Sequence, residues 1–179
     1  MKSWRILESR YLLKKRWLNV REDRVVTGTG VTIDAFHVLE SPSWACVCCL
    51  TDQRELVLIE QYRHGAQRVT LELPAGVIES NEAPLDAAQR ELAEETGYTA
   101  EHWVTLPPLT PEPARHTHQA HLFVATRARR TQSQSLDATE EARVKLFPAD
   151  AMDSLIQERA IDHAVHVAAL LLARAALLN

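Results

Sequence analysis

The first 40 residues alternate apolar and polar positions in short stretches, which is the pattern of half-buried β-strands. This pattern predicts three strands, over about residues 4–12, 16–27 and 30–40. The tetrapeptide GTGV at 28–31 predicts a turn between the last two strands, and Pro42 ends the section. We therefore predict an N-terminal antiparallel β-appendage over residues 1–40.

Two unbroken apolar runs follow, WACVCCLT at 44–51 and ELVLIEQYR at 55–63. Each has the length of a strand, and the absence of alternation indicates that both faces are buried. The next segment, VTLELPAG at 69–76, alternates until Pro74 interrupts it. These runs predict the central strands of a sheet that is covered on both sides.

The period of the apolar positions changes to that of a helix over about 84–96, and Gly97 follows in the position of a C-terminal cap. Beyond it the pattern predicts three further strands and two helices. The strands are expected near 102–106, 120–128 and 142–147, and the helices at about 149–159 and 162–178, with Asp162 as an N-cap. Residues 41–179 should thus form an α/β domain, a mixed sheet between helices.

Composition narrows the class of protein. The 179 residues are 46% hydrophobic and 25% charged, which suits one globular domain with a small appendage. A net charge of −4, with no basic stripe among aromatic residues, argues against a nucleic-acid partner. No apolar run reaches the ~18 residues of a membrane span, and the N-terminus lacks a signal-peptide pattern. We therefore expect a cytoplasmic protein whose three cysteines, Cys46, Cys48 and Cys49, are reduced core thiols.

The predicted helix over 84–96 carries an unusual concentration of acidic residues. At 100° per residue, Glu91 and Glu95 lie one turn apart on one face, with Glu94 beside them. Like charges at this spacing destabilise a helix by roughly 0.2–0.5 kcal/mol per pair. A solvated acidic face is the ordinary explanation, whereas a divalent cation would turn the repulsion into attraction, and oxygen ligands of this kind suit Mg²⁺.

One cation lies within this acidic helix. Arg90 precedes Glu94 by four residues, so an ion pair can orient that carboxylate. The opposite face is predicted to be buried, and it consists of Leu85, Ala88, Leu92 and Thr96. The helix is therefore predicted to bury one face in the core and to present its acidic face to a divalent metal ion.

The spacing of these residues resembles the signature of the Nudix hydrolases. Residues that match it without a gap are Gly76, Glu82, Arg90, Glu91, Leu92, Glu94, Glu95, Gly97 and Tyr98. We call residues 76–98 the Nudix motif. The resemblance implies a Nudix α/β/α sandwich with a mixed sheet and a pyrophosphatase that hydrolyses nucleoside diphosphates linked to another moiety.

The resemblance also implies roles for individual residues. Glu91 and Glu95 would be the principal metal ligands. Glu94 would be an auxiliary ligand, and the main-chain carbonyl of Ala75 would be a further one. Arg90 and Glu82 would hold these ligands in place. Two or three Mg²⁺ ions are implied, with Mn²⁺ able to substitute.

Three stretches outside the motif resemble the ADP-ribose and nucleotide-sugar pyrophosphatase branch of this family. They are SPSWACVCCLTD, EQYRHGAQRVTLELPAG and PARHTHQAHLFVA, and Pro113 lies fifteen residues after Tyr98, a spacing associated with ADP-ribose hydrolysis. The branch implies a small-molecule nucleoside diphosphate sugar as substrate. It also implies a homodimer in which the N-terminal strands exchange between subunits and help to form the partner's base pocket.

Further site residues are expected from the residue types. Arg63, at a strand end, can grip a diphosphate with its guanidinium fork, and Arg115 is a weaker candidate of the same kind. Trp17 and Phe36 are candidates to stack on a nucleobase. In this branch a glutamate of the loop before the last strand acts as general base or as an extra ligand. That loop reads LDATEEARV here, so Glu140 is the first choice and Glu141 the second, while Asp137 or a glutamate of the motif stays open.

Two other functions remain open from the sequence. One is another Nudix chemistry, such as hydrolysis of a dinucleoside polyphosphate or a modified nucleotide. The other is a non-catalytic module that senses nucleotide sugars. The intact set of motif carboxylates favours an enzyme over a sensor.

Overall fold

The computed structural model describes residues 1–177, which group in two compact units. The first unit comprises Met1–Ser43 and Thr110–Gln119. The second comprises Trp44–Leu109 and the residues from Ala120 onward, and it contains the acidic helix. The loop at 110–119 therefore belongs to the same unit as the N-terminal strands.

Three antiparallel strands form the first unit, in the order β1 (Arg5–Lys14), β2 (Asn19–Val26) and β3 (Thr32–Glu40). The predicted N-terminal antiparallel sheet is thus present. All ten residues of β1, an edge strand, are exposed. The loop at 110–119 joins β3, because the Leu39 N–H donates to the Arg115 carbonyl over 2.9 Å.

A seven-stranded mixed sheet forms the centre of the second unit. The strands of this sheet are β4 (Trp44–Thr51), β5 (Glu55–Arg63), β6 (Arg68–Glu72), β7 (Ala75–Val77), β8 (Tyr98–Thr105), β9 (Ala120–Arg130) and β10 (Ala142–Pro148). The helices of the same unit are α1 (Pro84–Thr96), α2 (Met152–Gln157) and α3 (Ala164–Leu177). The main path runs β10-β5-β4-β9-β8, while β6 pairs with β5 and β7 pairs with β4. The pair β4 and β9 is parallel, and the other pairs are antiparallel.

Helices cover both faces of this sheet. On one face, α1 packs Ala88 and Leu92 against Val47 of β4. On the other face, α2 and α3 pack against the alternate residues of the same strand, as Cys46 does with Leu170. The predicted mixed sheet between helices is therefore confirmed, and so is the burial of the three cysteines as free thiols.

The C-terminal helices differ from the prediction. In place of one helix over 149–159, a 3-10 turn at Ala149–Ala151 leads into the shorter α2. Asp162 does not cap α3, because it forms an ion pair with Arg68 and the helix begins two residues later. The His163 carbonyl accepts the first helical N–H, from Val167 over 3.0 Å. Residue 178, the end of the predicted helix, lies outside the described residues.

The sequence also placed the start of one strand wrongly. The strand predicted near 102–106 begins at Tyr98, directly after the cap of α1. The predicted interruption at Pro74 is present: the stretch at 69–76 divides there into β6 and β7, because proline cannot donate a ladder hydrogen bond. None of the helices within residues 1–177 is long and apolar enough to cross a membrane.

Candidate active site

The acidic helix α1 has the bounds that the sequence predicts, and local chemistry explains both ends. Pro84 occupies its first turn, where a missing N–H costs nothing. Gly97 ends it in the left-handed conformation, with φ 76°, and donates its N–H to the Ala93 carbonyl over 2.9 Å. The helix therefore holds Glu91, Glu94 and Glu95 in a fixed register against the sheet.

Glu95 is nearly buried, with 6% of its surface exposed. Its Oε2 accepts a hydrogen bond from the Ala75 N–H over 2.8 Å. The neighbouring Pro74 carbonyl accepts from the Val47 N–H over 2.9 Å, so this turn is tied to β4 as well as to α1. The structure thus brings together Glu95 and the main chain of Ala75, two of the expected metal ligands.

Glu91 lies directly over Gly76. A Cβ atom at position 76 would overlap the Glu91 carboxylate, so glycine is required for close approach rather than for an unusual φ. The Glu91 side chain is 12% exposed. The short strand β7, which contains Gly76, and the helix α1 therefore form one narrow cradle for this carboxylate.

Arg90 connects four acceptors around this cradle. Its Nε and Nη2 donate to the two carboxylate oxygens of Glu82 over 2.9 and 3.0 Å, and Nη2 also donates to the Val77 carbonyl. Its Nη1 donates to Glu91 over 2.7 Å and to Glu94 over 3.1 Å. The expected Arg90–Glu94 ion pair is present, and Glu82 fixes the arginine that orients Glu91 and Glu94.

The electrostatics of the cradle disfavour carboxylate charge. Burial, followed by the charges of Glu91 and Glu140, raises the pKa of Glu95 to about 8, although the Ala75 N–H opposes the shift. Burial also raises the pKa of Glu91, against the influence of Arg90. Both acids are therefore held in a site where an additional positive charge would be stabilising.

These residues fit a divalent cation of the hard, oxygen-binding kind. Within residues 1–177 no ion pair is found at Glu95, and the only hydrogen bond to its carboxylate comes from the neutral Ala75 N–H. In the described part of the chain, no group of three or more His, Cys, Asp or Glu side chains is arranged to hold a metal ion, because Glu91 and Glu94 both bond Arg90. Carboxylate and main-chain oxygens on one rigid turn and helix are the donors that Mg²⁺ takes, with water completing its shell.

Arg63, predicted to bind diphosphate, has a partner that the sequence analysis missed. Its Nε and Nη2 donate to the two carboxylate oxygens of Glu72 over 2.9 and 2.7 Å. Glu72 is 1% exposed and also accepts from the Thr70 hydroxyl over 2.6 Å. Burial would raise its pKa, but the bonds from Arg63 and Thr70 outweigh burial and lower it to about 2. The sequence does contain a sign of this partner, because Glu72 is a single acidic residue in an otherwise apolar stretch at the end of β6.

His166 of α3 is the second residue that the sequence analysis passed over. It is 1% exposed, and its Nδ1 accepts the Leu73 N–H over 3.2 Å. Burial, followed by the charge of His163, lowers its pKa to about 3, although Glu72 opposes the shift. The polar group on an apolar helix face thus supports the backbone just before Ala75.

The loop before β10 packs against the end of α1. The Gln134 side chain donates to the Glu95 carbonyl over 2.6 Å, and the Ser135 N–H donates to the Glu94 carbonyl over 2.9 Å. Glu140 of this loop lies close enough for its charge to contribute to the raised pKa of both Glu91 and Glu95.

A cavity of about 480 Å³ opens beside this loop. Its lining includes Gln61, Tyr62, Glu140, Glu141 and Arg143. The Gln61 Nε2 is buried and has no hydrogen-bond partner among the described residues. A volume of this size suits a small-molecule ligand.

The remaining predicted substrate contacts lie on the first unit. The Trp17 ring is 54% exposed and is covered by the Arg16 guanidinium at 4.3 Å. Phe36 packs edge-on against Trp4, with ring centroids 5.8 Å apart. Arg115 has an exposed side chain and bonds β3 through its carbonyl. The second unit alone contains the motif carboxylates, Ala75 and Arg63.

Comparison with known families gives the class of the protein. Residues 41–170 match the family described as NUDIX domain. Residues 4–39 match the family described as nucleoside diphosphate sugar hydrolase N-terminal domain. Because the first match covers well over half of the chain, the protein belongs to the Nudix family.

Individual relatives agree with this assignment. The chain is 33% identical over 89 residues to the ADP-ribose pyrophosphatase of Bacillus subtilis (strain 168), covering 50% of this chain and 48% of that protein. It is 30% identical over 119 residues to the methanol dehydrogenase activator of Bacillus methanolicus, covering 66% of this chain and 64% of that protein. These matches span about half to two thirds of the relatives' lengths.

A solved structure has the same fold. The crystal structure titled as an ADP compounds hydrolase superposes with a TM-score of 0.88, covering 99% of this chain and 95% of that chain. Because the two sequences are only 24% identical, this likeness shows the fold alone.

Proposed function

We propose that the protein is a Mg²⁺-dependent pyrophosphatase that hydrolyses the diphosphate bond of ADP-ribose or a related nucleoside diphosphate sugar. The products would be a nucleoside monophosphate and a sugar phosphate. The observation that carries the proposal is the cradle in which Glu91 lies over Gly76 while Glu95 bonds Ala75. The name of the Bacillus subtilis relative, an ADP-ribose pyrophosphatase, supports the substrate class.

In this proposal the chain's residues hold the cation and the substrate. Glu91, Glu95, the Ala75 carbonyl and, as an auxiliary, Glu94 would be the ligands. When bound, Mg²⁺ (or Mn²⁺) would neutralise charge on phosphate oxygens and lower the pKa of bound water. Arg90 keeps the carboxylates oriented, and Glu82 holds Arg90 by the two-pronged ion pair.

Arg63 and the loop before β10 would supply the remaining chemistry. Arg63 is 45% exposed and can donate N–H groups to a diphosphate. Glu140 is the preferred general base because its charge reaches Glu91 and Glu95. Glu141 and Asp137 of the same loop, and a glutamate of the motif such as Glu94, are the alternatives.

We further propose a cytoplasmic homodimer. Support for the homodimer comes from the exposed edge strand β1, which carries large apolar side chains, and from the match of residues 4–39 to a nucleoside diphosphate sugar hydrolase N-terminal domain. Trp17, Phe36 and Arg115 of the first unit are proposed to contact the base or the ribose.

A phosphatase-coupled assay tests the proposal. The purified chain is incubated with Mg²⁺ and ADP-ribose, ADP-glucose, GDP-mannose or a diadenosine polyphosphate, and phosphate released from the monophosphate products is measured. We expect turnover of ADP-ribose or an ADP-sugar that EDTA abolishes. Turnover of the diadenosine compound alone would favour the other Nudix chemistry, whereas binding without turnover of any substrate would favour a sensor.

A further inference from the structure

The ion pair between Arg63 and Glu72 joins a partly exposed arginine to a fully buried carboxylate. Glu72 lies at the end of β6 among core residues, and its carboxylate accepts two bonds from Arg63 and one from Thr70. His166 Nδ1 lies 3.8 Å from the same carboxylate. Burying a carboxylate carries a desolvation cost that its ion pair often does not exceed, so stability alone does not explain why Glu72 lies here.

The two bonds to Glu72 leave one side of the arginine available. They use Nε and Nη2, whereas Nη1 makes no hydrogen bond to any of residues 1–177. The Arg63 side chain is 45% exposed although its partner is buried. The guanidinium is therefore held at one edge and open at the other. Because its orientation is already fixed, the side chain loses less conformational entropy on binding an oxyanion than a mobile arginine would.

Arg63 also lies within the field of the motif carboxylates. Its pKa is raised chiefly by the hydrogen bond to Glu72, with burial opposing, and the charges of Glu72, Glu95 and Glu140 add to the rise. Glu95 has no ion-pair partner within residues 1–177. An arginine released from Glu72 would therefore be attracted to the carboxylates that the cation needs.

We propose that Glu72 is a positioning residue, which holds Arg63 towards the substrate diphosphate and away from Glu95 and Glu140. The inference rests on the function proposed above, because it needs a diphosphate substrate. Thr70 takes part by holding one Glu72 oxygen through its hydroxyl. Arg63 is then a binding residue whose orientation is set by a side chain that does not touch the substrate.

The variant Glu72→Gln tests this role, because it keeps the side-chain shape but turns an N–H donor towards Arg63. We expect KM for ADP-ribose to rise roughly tenfold or more, with kcat changed much less, as for lost ground-state binding. The matched control is Asp162→Asn. It removes the carboxylate partner of Arg68, the residue opposite Arg63 in the β5–β6 pair, and should leave KM unchanged.

A double-mutant cycle separates positioning from plain structural support. Arg63→Gln alone should raise KM, and adding Glu72→Gln in that background should raise it less than twofold further. If the two effects on KM multiply, or if Glu72→Gln alone leaves KM unchanged, Glu72 does not act through Arg63. Should Glu72→Gln fail to fold, Thr70→Val provides the same comparison, and an unchanged KM there overturns the inference.

A second readout distinguishes this inference from the proposed function. Calorimetry measures the affinity of each variant for α,β-methylene ADP-ribose, which cannot be hydrolysed at the bridge. We expect Glu72→Gln to weaken this affinity by the same factor as it raises KM. Binding of the analogue by the unaltered chain without turnover of ADP-ribose would overturn the hydrolysis but not the role of Glu72. An equal affinity in Glu72→Gln would overturn the role of Glu72 alone.

Discussion

At the scale of single residues, Gly76 tests the cradle most directly. An added methyl group would occupy the space of the Glu91 carboxylate, so Gly76→Ala should displace that carboxylate while the sheet and α1 keep their structure. We expect a loss of activity on the order of a hundredfold, as for displaced metal-site residues, measured by the phosphatase-coupled assay.

Gly65→Ala is the matched control, because a Cβ atom there has nothing within 4 Å. It should leave activity unchanged and stability equal or slightly higher. Near-normal activity of Gly76→Ala would mean that Glu91 need not lie over the turn.

Glu95→Gln should separate activity from stability. The loss of a metal ligand should lower metal-dependent turnover on the order of a thousandfold, equivalent to several kcal/mol of transition-state stabilisation. The pKa of Glu95 rises from an ordinary 4.5 to about 8 on folding, because the folded protein favours the protonated carboxyl. The stability that the protonated group contributes is therefore fully present below pH 4.5 and is lost as pH rises through 8. In the metal-free protein, the glutamine variant should therefore unfold at a higher temperature than the unaltered chain at pH 8.5.

Thermal unfolding with EDTA, at pH 5 and pH 8.5, provides the measurement. The stability advantage of Glu95→Gln should be larger at pH 8.5. Retained turnover would contradict the role of Glu95 as a ligand, and a lower unfolding temperature at pH 8.5 would contradict the cause given for its pKa.

The positions of Glu91, Glu94 and Glu95 were predictable from the sequence because their spacing alone places them on neighbouring positions of one helix. Glu72 was not, because its partners come from two other elements, β5 and α3, and only the register of the sheet brings them together. Arg63 was predicted as a surface contact to phosphate, whereas the structure adds its buried partner. Spacing within one element is visible in a sequence, and pairing between elements is not.

At the scale of elements, the contact between α3 and the segment after β6 should depend on pH. His166 is neutral in the folded protein down to about pH 3 but is protonated below about 6.5 when unfolded. At His166 the unfolded state therefore binds more protons in this window. As pH is lowered, this residue should decrease the unfolding free energy by up to about 1.4 kcal/mol per pH unit. Glu72, with its pKa lowered from 4.5 to about 2, adds to the loss only below pH 4.5.

Glu95 changes the unfolding free energy in the opposite direction over the same range, so the contribution of His166 is obtained by comparing urea unfolding of variants between pH 6.5 and 4.5. In His166→Asn, an oxygen can accept the Leu73 N–H without titrating, so as pH is lowered the unfolding free energy of this variant should rise relative to that of the unaltered chain. The matched control is His64→Asn, which removes an exposed histidine and should retain the full slope. Equal slopes in all three proteins would contradict the role given to His166.

The elements were predicted best where local signals agree. Pro84 and Gly97 fix both ends of α1, and the predicted bounds match the observed ones. The start of α3 was wrong because Asp162, a good capping residue by type, pairs instead with Arg68, which is distant in sequence. Tertiary partners thus override a local cap.

At the scale of the whole molecule, the exposed strand β1 is the feature that most needs a partner. Large apolar side chains, among them Ile6, Leu7, Leu12 and Leu13, are 38–55% exposed on this edge strand. Edge strands with exposed apolar residues pair with other chains unless they are covered. Sedimentation should therefore give a dimer of about 40 kDa, twice the chain mass of 20.2 kDa.

Charged substitutions on β1 should dissociate this dimer. Ile6→Lys and Leu12→Lys place an ammonium group where side chains are 55% and 50% exposed, so the single chain can still fold while a second copy is repelled. Val104→Lys on β8, at 51% exposure, is the matched control and should remain dimeric. If the first unit completes the substrate site of a second copy, the monomeric variants should also lose turnover of ADP-ribose. A monomer of the unaltered chain at micromolar concentration would contradict the proposed assembly, while full activity in a monomeric variant would place base recognition within one chain.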